Sequence, residues 1–278
     1  MAVKIVADSS CDLTEEMKKE MNIELVPLSL QLGDRIYIDN EQLDVMEYIR
    51  DMKNHPTSPK TACPSPQDFL NAYEGDDAIF GVTLSSELSG TYNSAVLAKN
   101  IYLDEQKEKF IHIFDSKGAS STETLISLKI NELVKKGLDN LKIVEKVEEY
   151  IKEMKTFFLL ESLEHLAKAG RLKPFIAKIA TLFSIKPIMG ATEEGTIKLV
   201  EKVRGYKKAF KKFVDTIGKE GSNLEEKVLS IAHCNCPERA VKFKEEVEKL
   251  YNFKDIVIVE MAGLSSTYAD DGGLVIAF

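Results

Sequence analysis

Residues 78–91 read AIFGVTLSSELSGT, and this stretch decides the fold. Positions 78–84 are apolar, β-branched or glycine with no polar alternation, the pattern of a strand covered on both faces in a parallel sheet. A Ser-rich turn follows over 85–90, and Thr91 opens a helix. The same strand, loop, helix order occurs on both sides of it. Residues 3–7 end in DSSCD before a helix over 14–21, and residues 110–114 end in DSKGASS before a helix near 122–135. Three strands thus run into Ser-rich loops. In an open parallel sheet such loops gather at the carboxyl edge, where ligands bind.

Outward from this unit, residues 23–30 and 35–39 flank Gly33-Asp34 as two extended segments, and 44–53 reads as a helix. Residues 55–66, HPTSPKTACPSP, hold four prolines, which predicts irregular backbone; a helix follows at 67–74. In 141–154, Leu141, Val144, Val147, Ile151 and Met154 recur at three- and four-residue spacing. This predicts an amphipathic helix that closes a first domain over residues 1–154. Residues 155–278 form the second domain: a strand at 156–160, helices at 163–169 and 174–183, and extended segments within 185–203 turning at Glu194-Gly195. A helix at 206–217, a strand at 227–233, a helix at 238–250 and strands at 255–261 and 274–278 complete it. No linker rich in Pro, Gly or Ser marks the division.

Composition narrows the function. At about 150 residues per domain, 278 residues suggest two domains, and 44% hydrophobic with 29% charged content fits a water-soluble chain. No apolar run approaches the roughly 18 residues a membrane span needs. MAVKIVADSS turns polar too soon for a secretory signal, so a cytoplasmic location is expected. With 37 basic against 45 acidic residues the net charge is −8, which argues against nucleic acid as a partner. Four cysteines are too few for a disulfide framework. Cys234 and Cys236 form a C-x-C pair at what reads as a strand end, with no second Cys/His pair to complete a zinc site. Buried free thiols are expected. The phosphate-loop, dinucleotide, zinc-protease and nucleophile-elbow motifs are absent, so neither a nucleotide nor any other cofactor is expected. His55, His112, His165 and His233 are scattered and read as satisfied or partly exposed side chains.

Ser89-Gly90-Thr91 places a hydroxyl and unhindered amides at a helix start. That is either an anion site or a plain N-cap, and spacing leaves both open. Thr61, in the proline-rich stretch, reads as a turn hydroxyl.

The strings VADSSCDL, PKTACPSPQDF, LSSELSGTYNSA, FDSKGASS, LEHLAKAGRL and SIKPIMGATEEGTIKLVEKVRGYKKA, with the glycine-containing C-terminal strand, resemble the DegV family in order and spacing over essentially the whole chain. The resemblance implies a two-domain α/β fold. Its N-terminal three-layer domain has a mostly parallel sheet and carries the head-group loops, and its C-terminal α/β domain has a mixed sheet. The implied function is binding of a long-chain fatty acid such as palmitate in a buried tunnel. The bound carboxylate is presented to a separate fatty acid kinase subunit, and the carrier is not itself an enzyme. A tail of sixteen carbons gains on the order of 10 kcal/mol by leaving water, which a closed apolar tunnel supplies.

By the same resemblance the carboxylate ligands fall on Thr61 and Ser89, with the Gly90 and Thr91 amides beside them, and kinase docking falls on Arg171 and Arg204. Lys207, Lys208, Lys211 and Lys212 extend the basic stretch, but opposite Phe210, Phe213 and Ile217 they read as an ordinary solvated helix face. Three departures stand out. Ala62-Cys63 replaces the family's Ser-Gln, Tyr268 stands where the family has a ligand histidine, and Asp270-Asp271 replaces Gly-Pro. A phenol still donates one hydrogen bond. Two carboxylates facing the ligand would weaken binding, whereas in a turn they would cost little. Two other readings remain: an enzyme using Tyr268, Asp270 and Asp271 on a small anionic substrate, and a diverged member binding another amphiphile.

Overall fold

The computed structural model describes residues 2–75, 77–106, 108–180 and 185–278. β1 (Val3–Asp8) lies at the centre of a parallel sheet, paired with β2 (Ile23–Val26) on one side. β3 (Ser29–Leu32), β4 (Arg35–Ile38) and β5 (Lys60–Ala62) form a separate antiparallel sheet in the order β4-β3-β5. β6 (Ala78–Thr83) pairs with β1 on its other side and with β7 (Ile111–Asp115), giving the order β2-β1-β6-β7. The chain changes direction of travel across the sheet between β1 and β6, which brings their following loops together.

β6 is buried at every residue, as its sequence predicts. Ile79 packs with Phe69, Ala95 and Ala98 under the helices Pro66–Ala72 and Thr91–Gln106. Phe80 and Val82 point the other way, toward Ile130, Ile143 and Val147 of the helices Ser121–Lys135 and Asn140–Glu153. The two sets make a helix, sheet, helix sandwich. Gly81 lets Ile113 approach, because a Cβ there would stand 2.5 Å from Ile113 Cδ1.

The third sheet has six strands: β8 (Thr156–Leu159), β9 (Ile185–Ala191), β10 (Ile197–Arg204), β11 (Val228–His233), β12 (Asp255–Glu260) and β13 (Leu274–Ala277), ordered β10-β9-β8-β13-β11-β12. β11 and β12 run parallel and every other pairing is antiparallel, so the sheet is mixed. One face carries Phe157, Ile188, Val203 and Ile231 against Phe213 and Phe243 of the helices Tyr206–Glu220 and Pro237–Glu248. The other face, with Phe158, Leu160, Met189 and Ile197, turns toward the first half of the chain.

Four details differ from the sequence expectations. Residues 55–66 are not wholly irregular: Lys60–Ala62 pairs with β3 in the register Leu30↔Thr61, as an edge strand flanked by Pro59 and Pro64. Pro66 then starts a helix behind a Ser65–Asp68 capping box. The helix Asn140–Glu153 buries Ile143, Val147 and Ile151; Leu141 is 74% exposed while Ile143 is 1%. Val144 and Met154 pack beside them as expected, so the buried stripe differs from the expected one only at its start, where Ile143 takes the place of Leu141. An unforeseen helix, Gly263–Ala269, occupies the stretch before β13. The helix expected over 174–183 is seen as Pro174–Ala180, and its last three residues lie outside the described residues.

Candidate functional site

The loops after β1, β6 and β7 meet at the carboxyl edge of the parallel sheet, where buried carboxyls tie them together. Asp8 closes the β1 and β6 ends by accepting from Leu84 N at 2.8 Å and from Ser10 N and Oγ at 3.0 and 2.7 Å. Ser10 Oγ also contacts Glu123 Oε1 in a short hydrogen bond. One hydroxyl proton cannot serve two ionised carboxylates, so one of the pair carries a proton. Burial raises Glu123 well above the usual carboxylate range, and the nearby Asp8 raises it further, so Glu123 is the protonated partner. Burial likewise pushes Asp8 up to about 6 and Asp12 up to about 7.

Asp12 Oδ2 accepts from Ser120 Oγ at 2.5 Å, and its Oδ1 accepts from Ala262 N at 2.8 Å. Asp39 accepts from Ser9 Oγ at 2.8 Å and from Gly263 N and Leu264 N at 2.7 and 2.8 Å. The acids therefore also join the first half of the chain to the helix Gly263–Ala269.

A cavity of about 130 Å³ lies between this edge and the open face of the six-stranded sheet. Leu28, Leu84, Phe158, Leu160, Ile197 and Val275 give it mostly apolar walls. Thr61, Ser89, Tyr268 and Arg171 also line it, the first three partly exposed and Arg171 exposed. Thr61 Oγ1 lies 2.8 Å from the Tyr268 hydroxyl. Ser89 Oγ lies 2.9 Å from Thr91 Oγ1 and accepts from Thr91 N at 3.3 Å. Thr91 is buried and Gly90 exposed, and neither is among the lining residues. Arg171 is fixed by donating to Leu88 O at 3.0 Å and Ala169 O at 2.5 Å.

Of the other residues singled out by sequence, Arg204 ends β10 exposed and outside the cavity lining. Lys207, Lys208 and Lys211 are exposed opposite buried Phe210, Phe213 and Ile217, as a solvated helix face requires. Cys63 is exposed beside Gly90, whereas Cys11, Cys234 and Cys236 are buried free thiols. Asp270 and Asp271 do not line the cavity. They form a turn in which Asp271 accepts from Asn235 Nδ2 at 3.0 Å and lies 3.8 Å from Lys53 Nζ. Among the described residues no group of three or more His, Cys, Asp or Glu could hold a metal ion.

Sequence reasoning missed Ser10, Ser120 and Ser265 in the lining, and the carboxyls behind them. The available signal was the repeated acid-Ser pairing in DSSCD and FDSKGASS, which announced a network without naming its partners.

The chain is similar over its whole length to proteins already described. It is 36% identical over 280 residues to a DegV domain-containing protein of Streptococcus gordonii, covering 100% of this chain and 99% of that one. A crystal structure of a DegV-family protein from Ruminococcus gnavus, refined with vaccenic acid, superposes with a TM-score of 0.95 at 42% identity and full coverage of both chains. The fatty acid kinase (Fak) B3 protein of Streptococcus pneumoniae, loaded with linoleic acid, gives 0.92 at 34% identity, covering 100% of this chain and 99% of that one. The family model described as "Uncharacterised protein, DegV family" matches residues 2–278, and on this evidence the chain belongs to the DegV family.

Proposed function

We propose that this protein binds one long-chain fatty acid, with its carboxylate at the mouth and its tail in the cavity between the parallel and six-stranded sheets, which widens from about 130 Å³ to take it. The observation that carries this reading is the layout of the cavity: apolar walls from both halves of the chain, ending at three partly exposed hydroxyls on Thr61, Ser89 and Tyr268. Hydrogen bonds to an ionised carboxylate contribute about 1.5–3 kcal/mol each, so three hydroxyls hold it without a full countercharge. Thr91, with Gly90 between, orients Ser89 for this task. The fatty acids carried by the R. gnavus and S. pneumoniae relatives support the same ligand class.

The protein acts as a carrier. It leaves a carboxylate oxygen at the surface for a separate kinase subunit, whose docking falls to Arg171 beside the mouth and to Arg204. Residues 1–154 and 155–278 form its two domains, since every strand of the first two sheets precedes that boundary and every strand of the third follows it. A cytoplasmic location fits this role. Titrating delipidated protein with oleate in a calorimeter tests the reading: one site per chain is expected, and substitution of both Thr61 and Ser89 by alanine weakens it. Binding unaffected by both substitutions would move the carboxylate elsewhere.

A further inference from the structure

The helix Gly263–Ala269 brings Tyr268 into the cavity lining, yet its own sequence does little to hold it there. Its N-cap position is Ala262, which offers no side-chain acceptor, and a seven-residue helix is not stable by itself. The free N–H groups are satisfied from the far end of the chain instead. The two oxygens of Asp39 take the Gly263 and Leu264 amides separately, at 2.7 and 2.8 Å, and Asp12 takes the Ala262 amide at 2.8 Å. The Tyr48 hydroxyl lies 2.8 Å from Thr267 Oγ1, on the residue before Tyr268.

Gly263 is what allows this approach. A Cβ there would stand 2.6 Å from Asp39 Oδ1 and 2.5 Å from Leu43 Cδ2. Asp39 is itself steadied by Ser9 at 2.8 Å, and Ser9 Oγ in turn accepts from Leu28 N at 3.1 Å.

We infer that Asp39 is a positioning residue for the ligand's head group: it caps the Gly263–Ala269 helix from across the chain and thereby sets the Tyr268 hydroxyl beside Thr61, with Asp12 and Tyr48 as supports. This rests on the head-group role proposed above for Tyr268. A carboxylate accepts from two amides at once. An asparagine at the same place offers one oxygen, and its amino group opposes the second N–H. The helix start then shifts, and little more than one turn separates it from Tyr268. A shift of under about 1 Å is enough to spoil a hydrogen bond.

The test compares dissociation constants for oleate and for methyl oleate, which lacks the ionised oxygen, with melting temperatures recorded in parallel. The proteins are the delipidated wild type, Asp39→Asn, Tyr48→Phe, Tyr268→Phe and the Asp39→Asn/Tyr268→Phe double variant. Tyr268→Phe should weaken oleate about 10-fold and leave the ester nearly unchanged, and Asp39→Asn should weaken oleate about 5-fold with the same selectivity. The double variant should bind no more weakly than Tyr268→Phe alone, because both changes remove one interaction. Equal weakening of acid and ester by Asp39→Asn, or effects that multiply in the double variant, would overturn the inference. If Asp39→Asn does not fold, Tyr48→Phe carries the test under the same criteria. Failure of the wild type to bind oleate at all would remove the proposed function, and this inference with it.

Discussion

Both sides of the cavity present apolar side chains, but what stands behind those side chains has opposite chemistry. On the parallel-sheet side, the loops after β1, β6 and β7 bury Asp8, Asp12, Asp39 and Glu123 among hydroxyls and amides, so nearly every group is fixed by a directional bond. On the mixed-sheet side, Phe158, Leu160, Ile197 and Val275 present apolar surface held only by packing. Under the function proposed above, the first wall would set where a polar head sits, and the second would supply much of the free energy of burying a tail. Changes on the second wall should therefore alter affinity for any long chain, and changes on the first should alter the preference for an acid head.

The largest effect is expected on the apolar wall. Val275→Trp, which fills the cavity, excludes about four methylenes at about 0.8 kcal/mol each and should weaken fatty acid and methyl ester alike by on the order of 100-fold. Calorimetric titration of both ligands checks it; a loss confined to the acid would erase the distinction between the walls. Next come the mouth hydroxyls. Ser89→Ala should weaken the acid about 10-fold, with little change for the ester, measured in the same titrations.

The polar wall also has a pH signature. Asp8 and Asp12 stand near 6 and 7 in the fold against about 3.9 when unfolded, so the folded state binds the extra protons. Their contribution is fully present below about pH 4 and is lost as pH rises through 6 and 7. Each group should lower stability by on the order of 1 kcal/mol per pH unit across that window. Urea unfolding at pH 5 and pH 8 should show the protein less stable at pH 8, and Asp12→Asn should flatten the difference.

The smallest effect concerns Asp270, which adopts φ 59° and ψ 163°, a region suited to glycine. Asp270→Gly should raise stability by about 1 kcal/mol in the same unfolding experiment and leave oleate affinity unchanged, because the side chain does not line the cavity.

The two walls were unequally legible in the sequence. The strand and helix order followed from local pattern: the unbroken run 78–84 marked a buried parallel strand, and Gly33-Asp34 and Glu194-Gly195 marked turns between paired strands. Lys60–Ala62 was hidden by flanking prolines, since its pairing with β3 depends on a partner about thirty residues away rather than on its own propensity. The helix Gly263–Ala269 escaped notice for the same reason: GLSSTYA has no helical periodicity, and its cap lies at Asp39. Thr61, Ser89 and Tyr268 came from family resemblance, and only the fold shows that they line one cavity. Acid-Ser strings such as DSSCD signalled a polar network, but contacts between residues as distant as Asp12 and Ala262 have no local sequence trace.

Occupancy of this cavity by a single fatty acid can be read from native mass spectrometry of the protein purified from a bacterial host. A mass increment of one long-chain fatty acid per chain is expected, released on denaturation and missing from Val275→Trp. A wild-type protein that is empty and takes up no added fatty acid, or an increment that survives unchanged in Val275→Trp, would contradict it.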